Sequence, residues 1–186
     1  MDVSMTVIDI QNIVASSSLG TELDLFKILD SFETAQYDPK QFPGLIYRIS
    51  EPKTATLLFK SGKLVCTGGK SREDVERAVS KVVDDLKGIG IDIPIKPKID
   101  IQNMVASSDL GYELNLNTVA ITLGLERVEY EPEQFPGLVF RLDDPKVVIL
   151  LFGSGKLVCA GAKVKEDAIR AVDNVAAELR DQGLMP

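Results

Sequence analysis

The sequence predicts an α+β fold made of two copies of one β-α-β-β-β-β-α unit. The first sign is an internal repeat: residues 41–66 read QFPGLIYRISEPKTATLLFKSGKLVC and residues 134–159 read QFPGLVFRLDDPKVVILLFGSGKLVC. The second is a series of short β-rich runs with alternating faces, separated by Gly, Pro, Asn and Asp turns. The third is one long amphipathic segment closing each copy. Two copies are too few for a solenoid and suit a pseudo-twofold arrangement.

The elements follow in order. Residues 8–15 are β-rich, and the run IDIQNIVASS at 8–17 recurs as IDIQNMVASS at 99–108. Residues 22–31 carry Leu25, Ile28 and Leu29 at helical spacing, which predicts a short helix. Strands are expected at 34–37, 45–49, 55–59 and 63–67. Ser71 is an N-cap candidate with Glu73 and Asp74 in the first turn. Val75, Ala78, Val79, Val82, Val83 and Leu86 then form one apolar stripe, repeated as Ala168, Ile169, Val172, Val175, Ala176 and Leu179. Glycine and proline interrupt any helix at 88–97, so the repeats are expected at 1–93 and 94–186.

Composition narrows the class. At 186 residues and 45% hydrophobic content the chain can build a real core. Met1 to Ser4 show no basic, apolar leader, and the longest aliphatic and aromatic run, 147–152, is too short to cross a bilayer. With two cysteines this suggests a reducing compartment, Cys66 and Cys159 being small core residues rather than a disulfide or metal pair. The net charge of −7 argues against a lysine-coated nonspecific nucleic-acid binder, though not against one with its cations on one face. Histidine is absent, and neither a metal-spaced cluster nor a nucleophile motif stands out, so an enzyme is not expected. Glu73-Asp74 and Glu166-Asp167 are helix-terminal charge, and Ser61-Gly62-Lys63 lacks the glycine spacing of a phosphate loop.

The helices are too few for the sheet. Strand side chains alternate between faces, and several strands are apolar on both: Ala55, Leu57 and Phe59 against Thr56 and Leu58, or Val148, Leu150 and Phe152 against Val147, Ile149 and Leu151. One long helix and one short one per unit can cover one face only. Either the units close face to face as a sandwich, or a broad apolar face is left for a partner. The polar residues of that second face favour the partner. Asn12 and Asn103 share it with Val14 and Val105, Arg48 and Arg141 with Ile46 and Val139, and Lys63 and Lys156 with Val65 and Val158. A duplicated, open apolar surface with amides inside and cations at the margins suits an extended, nearly twofold ligand with anions along both edges, such as the DNA minor groove. In each copy two phenylalanines, Phe42 with Phe59 and Phe135 with Phe152, flank a hairpin whose turn is Ser50-Glu51-Pro52 or Asp143-Asp144-Pro145, so each pair should meet at the hairpin's open end.

On the paired QN(I/M)VASS strands, QFPGL segments and LLF-x-SGKLVC hairpins, the chain resembles the TATA-box-binding proteins, most of all the archaeal, core-only members, over essentially its whole length. The resemblance implies a saddle: a curved ten-stranded antiparallel sheet with helices on the convex face. It implies that Phe42, Phe59, Phe135 and Phe152 kink DNA, with Leu57 and Leu150 beside the kinks. Asn12 and Asn103 would read the minor groove, with Val14, Val65, Val105 and Val158 on base edges. Arg48, Lys63, Arg141 and Lys156 would meet phosphates. Thr67 matches the family's hydroxyl after the last hairpin strand, whereas the second copy has Ala160.

The halves also differ in charge. Residues 1–96 hold 12 basic and 14 acidic residues, and residues 97–186 hold 9 and 14. The turn before the first phenylalanine is Asp38-Pro39-Lys40 in one copy and Glu129-Tyr130-Glu131-Pro132-Glu133 in the other. The resemblance implies a basic partner at Glu131 and Glu133, transcription factor B, with RNA polymerase engaged indirectly and no cofactor needed. It also implies action at the chromosome, in the cytoplasm of an archaeon or the nucleus of a eukaryote. The alternative is a scaffold for a hydrophobic ligand or another protein on the same face, and two copies could pair through it without DNA.

Overall fold

The computed structural model describes residues 6–186, so the leader expectation at Met1 to Ser4 lies outside the described residues. Ten antiparallel strands and four helices occur in two copies of the expected order. The first copy comprises β1 (Asp9–Ser18), α1 (Leu25–Ser31), β2 (Ala35–Gln36), β3 (Leu45–Ser50), β4 (Lys53–Leu58), β5 (Lys63–Gly69) and α2 (Arg72–Gly88). The second comprises β6 (Asp100–Asp109), α3 (Leu116–Leu123), β7 (Val128–Glu129), β8 (Leu138–Asp143), β9 (Lys146–Leu151), β10 (Lys156–Ala162) and α4 (Lys165–Asp181). The chain divides into two compact units, residues 12–102 and residues 103–186 with the N-terminal segment up to Gln11.

In the first unit the strand order is β2-β3-β4-β5-β1, and in the second β6-β10-β9-β8-β7. Register carries the alternation across each unit. Ile46 pairs with Leu57 and Leu57 with Val65, as Val139 pairs with Leu150 and Leu150 with Val158. The neighbouring residues point the other way and are sealed: Leu45, Leu58, Leu64 and Cys66 in one unit, Leu138, Ile149, Leu151, Leu157 and Cys159 in the other. The long helices supply the cover. Val75, Ala78, Val79, Val82, Val83 and Leu86 of α2 are all buried, as the stripe predicts. In α4 the buried set is Ala168, Ala171, Val172, Val175, Ala176 and Leu179; Ile169 is only half-buried. Ile169 lies one position away from the stripe at 100° per residue, and Ala171 fills the place instead.

Local chemistry explains the shifted boundaries. Residues 22–24 are not helical because Asp24 is the N-cap of α1, its side chain accepting from the Lys27 N–H at 3.2 Å. β1 runs on to Ser18 because Ser16, Ser17 and Ser18 pair with Val65, Leu64 and Lys63. Ser71 caps α2 by accepting from the Asp74 N–H at 3.1 Å, whereas Val164 at the matching place in α4 offers no side-chain cap. α2 ends in a reverse turn in which Gly90 (φ +90°) lets the Ile91 N–H reach the Leu86 carbonyl at 3.1 Å. Cys66 and Cys159 are free and fully buried, and burial pushes both thiols up, Cys159 to about 11. Among the described residues no helix is long and apolar enough to cross a membrane.

Candidate nucleic-acid interface

Helices cover one side of each unit's strands and leave the other side open. In the first unit the open side carries Asn12 and Val14 from β1, Val65 and Thr67 from β5, Leu57 from β4, and Arg48 from β3. Arg48 is exposed and the rest are half-buried. The second unit presents Asn103, Val105, Val158, Ala160, Leu150 and Arg141 in the same way. Partial exposure of so many aliphatic side chains marks an apolar face with no cover of its own.

Each phenylalanine pair sits at the end of its hairpin. Phe42 and Phe59 have ring centroids 6.0 Å apart with planes at 68°, and Phe135 and Phe152 repeat this at 6.0 Å and 69°. Such edge-to-face contact holds each ring against the other. Phe42 and Phe135 are still 42% and 41% exposed. The glycine of the PGL segment makes the pairing possible. A Cβ on Gly44 would lie 2.7 Å from Phe42 and 3.0 Å from Phe59, and one on Gly137 would lie 2.7 Å from Phe135 and 3.1 Å from Phe152. The preceding turn fixes the backbone: the Phe42 N–H donates to the Asp38 carbonyl at 3.0 Å, and the Phe135 N–H to the Glu131 carbonyl at 2.9 Å. Glu131 and Glu133 themselves are exposed.

The asparagines are oriented by a feature the spacing alone does not reveal. At Gly68 (φ +100°) and Gly161 (φ +105°) the last hairpin strand is irregular where it pairs with the QN strand. Glycine tolerates that left-handed backbone, which belongs to a β-bulge. The freed N–H groups donate to Asn12 Oδ1 and Asn103 Oδ1, both at 2.7 Å. With Oδ1 engaged, each Nδ2 is turned to other acceptors. In the first unit Asn12 Nδ2 donates to Thr67 Oγ1 at 3.2 Å; in the second Ala160 offers no hydroxyl. The sequence signal was the glycine after Thr67 and after Ala160, present in both copies.

The cations lie at the margins, as alternation requires. Lys63 and Lys156 open β5 and β10 and are exposed. Arg48 Nη1 donates to Gln36 Oε1 at 2.5 Å, and Arg141 Nη1 to Glu129 Oε1 at 2.6 Å. The sequence marks Glu129 only as part of the acidic turn and does not mark Gln36, because their contacts with Arg141 and Arg48 require the pairing of the two-residue edge strands. The arrangement offers amide donors, aliphatic contacts, aromatic wedges and peripheral positive charge in each unit. Chemically, that set can complement a groove of acceptors between two rows of anions.

The comparisons with known proteins agree with this geometry. The family described as transcription factor TFIID, or TATA-binding protein, matches residues 7–89 and again 98–182. A TATA-box-binding protein of Archaeoglobus fulgidus is 57% identical over 178 residues, covering 96% of this chain and 97% of that one. Another from Haloarcula marismortui is 57% identical and covers 96% of each. The solved structure of the Methanococcus jannaschii TBP aligns with a TM-score of 0.86 at 52% identity, over 94% of this chain and 98% of that one.

Proposed function

Because the chain belongs to the TATA-binding protein family, whose members are non-enzymatic transcription factors, we propose that it binds promoter DNA by laying its open sheet faces into the minor groove of an A·T-rich site. The observation that carries this reading is the repetition, in both units, of an uncovered aliphatic face with an oriented asparagine and a paired phenylalanine wedge. The repeats, 1–93 and 94–186, would each take one half of the site. The expected groove residues are Asn12, Val14, Leu57, Val65, Thr67, Asn103, Val105, Leu150 and Val158. Arg48, Lys63, Arg141 and Lys156 face phosphates.

The chemistry follows from base-pair edges. A·T pairs show only acceptors in the minor groove, while G·C adds the guanine amino donor. The asparagine Nδ2 groups donate to those acceptors, and the valines leave no partner for the guanine amine. Phe42 with Phe59, and Phe135 with Phe152, enter base steps and bend the duplex. Unstacking costs a few kcal/mol per step, a magnitude known for minor-groove kinking proteins including this family, and the bent duplex regains it through wider contact. Flexible TA steps lower the cost, so deformability adds to direct readout. Edge cations release counterions, which makes affinity salt-dependent although the chain is acidic overall.

Glu131 and Glu133 extend the reading to assembly. Once DNA is bound, this exposed acidic turn recruits transcription factor B at one end of the complex, and RNA polymerase follows through that factor. At the chromosome of an archaeal cell the protein would act as a general initiation factor. A bending assay tests the DNA step: energy transfer between dyes at the two ends of a TATA-containing duplex should rise on binding, and a G·C-rich duplex should show neither binding nor bending at the same concentration. Tight binding of both duplexes without bending would contradict it. For assembly, reversing Glu131 and Glu133 to lysine should weaken the ternary complex without weakening DNA binding; equal loss of both would contradict that step.

A further inference from the structure

We infer that Glu129 weakens the phosphate grip of the second repeat by holding Arg141 in an ion pair, while Gln36, its neutral counterpart, leaves the charge of Arg48 uncompensated in the first. The inference rests on the DNA-binding reading above and concerns how that binding is shared between the repeats.

The two sites are built alike. Gln36 and Glu129 are the second residues of the short edge strands β2 and β7, and pair with Ile46 and Val139. Two residues further along, on the same face, stand Arg48 and Arg141. Each guanidinium donates through Nη1 to a side-chain oxygen, Gln36 Oε1 at 2.5 Å and Glu129 Oε1 at 2.6 Å. The geometry is shared and the charge is not. Beside Gln36 the arginine's charge stands uncompensated; beside Glu129 the pair sums to zero.

The Arg141–Glu129 side chains are 59% and 65% exposed, so the ion pair adds little to stability. Its effect appears when a phosphate arrives. Arg141 can turn to the phosphate, but the Glu129 carboxylate then remains close to an anion, well within a Debye length of about 10 Å at 0.1 M salt. The imbalance continues along the edge. Asp38 and Lys40 in the first repeat match Glu131 and Glu133 in the second, and all four are exposed. The second repeat therefore presents a stretch of three acids where the first is neutral. The first repeat should supply more of the counterion release, and the second should let go of DNA first.

The test is a titration of a fluorescein-labelled TATA-containing duplex at several KCl concentrations, with thermal melting confirming that every variant is folded. Glu129→Gln should steepen the slope of log affinity against log salt by about one, and tighten binding about threefold at low salt, as one added phosphate contact would. Gln36→Glu should flatten the slope by the same amount. In the wild-type background Arg141→Ala should weaken binding less than Arg48→Ala; in the Glu129→Gln background the two losses should match. An unchanged slope in both Glu129→Gln and Gln36→Glu would overturn the inference. So would equal losses for the two arginine variants in the wild-type background. A wild-type chain with no preference for this duplex over a G·C-rich one would instead overturn the DNA-binding reading itself, and the inference with it.

Discussion

In the first repeat Tyr47 on β3 ties the sheet to α2, its hydroxyl donating to Asp85 Oδ2 at 2.5 Å, with Phe32 edge-on against its ring. In the second repeat Phe140 stands in that place. Arg127 crosses its ring, 5.2 Å from the centroid, to reach Glu178 with both Nη atoms. Asp85 and Glu178 occupy matching positions on the two long helices, so the acid is kept and its partner is supplied from a different element. Thr56, buried beside Cys66 without an oxygen or nitrogen partner, is likewise Ile149 in the second repeat. On the open face the differences among the hydrogen bonds described above are confined to Thr67 against Ala160 and to Gln36 against Glu129. The phenylalanine pairs, the asparagines and the glycines that orient them recur with distances that agree to within about a tenth of an ångström. A helix–sheet contact can be satisfied by several side-chain combinations of similar volume and polarity. A face shaped for one ligand, as proposed for this one, would allow few, and that contrast is what the proposal predicts between scaffold and site.

The contrast can be broken most severely at the phenylalanines. Phe42→Ala with Phe59→Ala, and separately Phe135→Ala with Phe152→Ala, should each remove one kink and lower affinity for a TATA duplex by roughly 100-fold, about the loss of one inserted wedge. Melting temperatures should change little compared with core truncations, since one ring of each pair is already about two-fifths exposed. Collapse of the fold in both variants would show the rings to be core and the faces not to be sites. A large loss in one repeat only would show the faces to be unequal.

The frame should respond in the other way. Tyr47→Phe and Arg127→Ala should each lower unfolding free energy by about 1 kcal/mol in denaturant titration, while DNA affinity holds. Alkali probes the same interior. Desolvation by burial, then the hydrogen bond to Asp85, raises the Tyr47 phenol above its ordinary 10.0, and burial raises both thiols. These groups fold in their neutral forms, so their contribution is whole below the ordinary thiol value of 9.0 and lost as pH rises through the raised ones, Cys159 at about 11. Urea midpoints should therefore fall between pH 9 and 11, and Tyr47→Phe should make the fall shallower at its upper end. The smallest effect belongs to α4. Val164→Ser should supply the cap that Ser71 gives α2 and raise stability by about 0.5–1 kcal/mol, measured by thermal melting.

Much of this was legible in the amino-acid sequence, for a physical reason. Duplication turns a weak signal into a strong one: a single Phe in a strand is ordinary, but two pairs at matching hairpin ends mark a site. Alternation placed Arg48, Lys63 and their copies on the open face, because a strand's period fixes side-chain direction without knowledge of its neighbours. What stayed hidden depended on register between strands. The hold of Gly68 on Asn12 needs the irregular pairing of β5 with β1, and the Gln36–Arg48 and Glu129–Arg141 contacts need the pairing of strands only two residues long. Ile169 belongs to the α4 stripe by hydrophobicity but falls outside it by angular position, and Ala171 is buried instead.

The account turns on minor-groove chemistry, and inosine isolates it. Inosine·cytosine pairs show the acceptors of A·T in the minor groove without the guanine amino group, while their major-groove edges resemble G·C. Affinity should be measured for a TATA duplex, for the same duplex with every A·T replaced by inosine·cytosine, and for its G·C counterpart. Binding of the inosine duplex close to that of the TATA duplex, with the G·C duplex far weaker, is the predicted result. An inosine duplex bound as weakly as the G·C one would mean that the open faces do not read the minor groove.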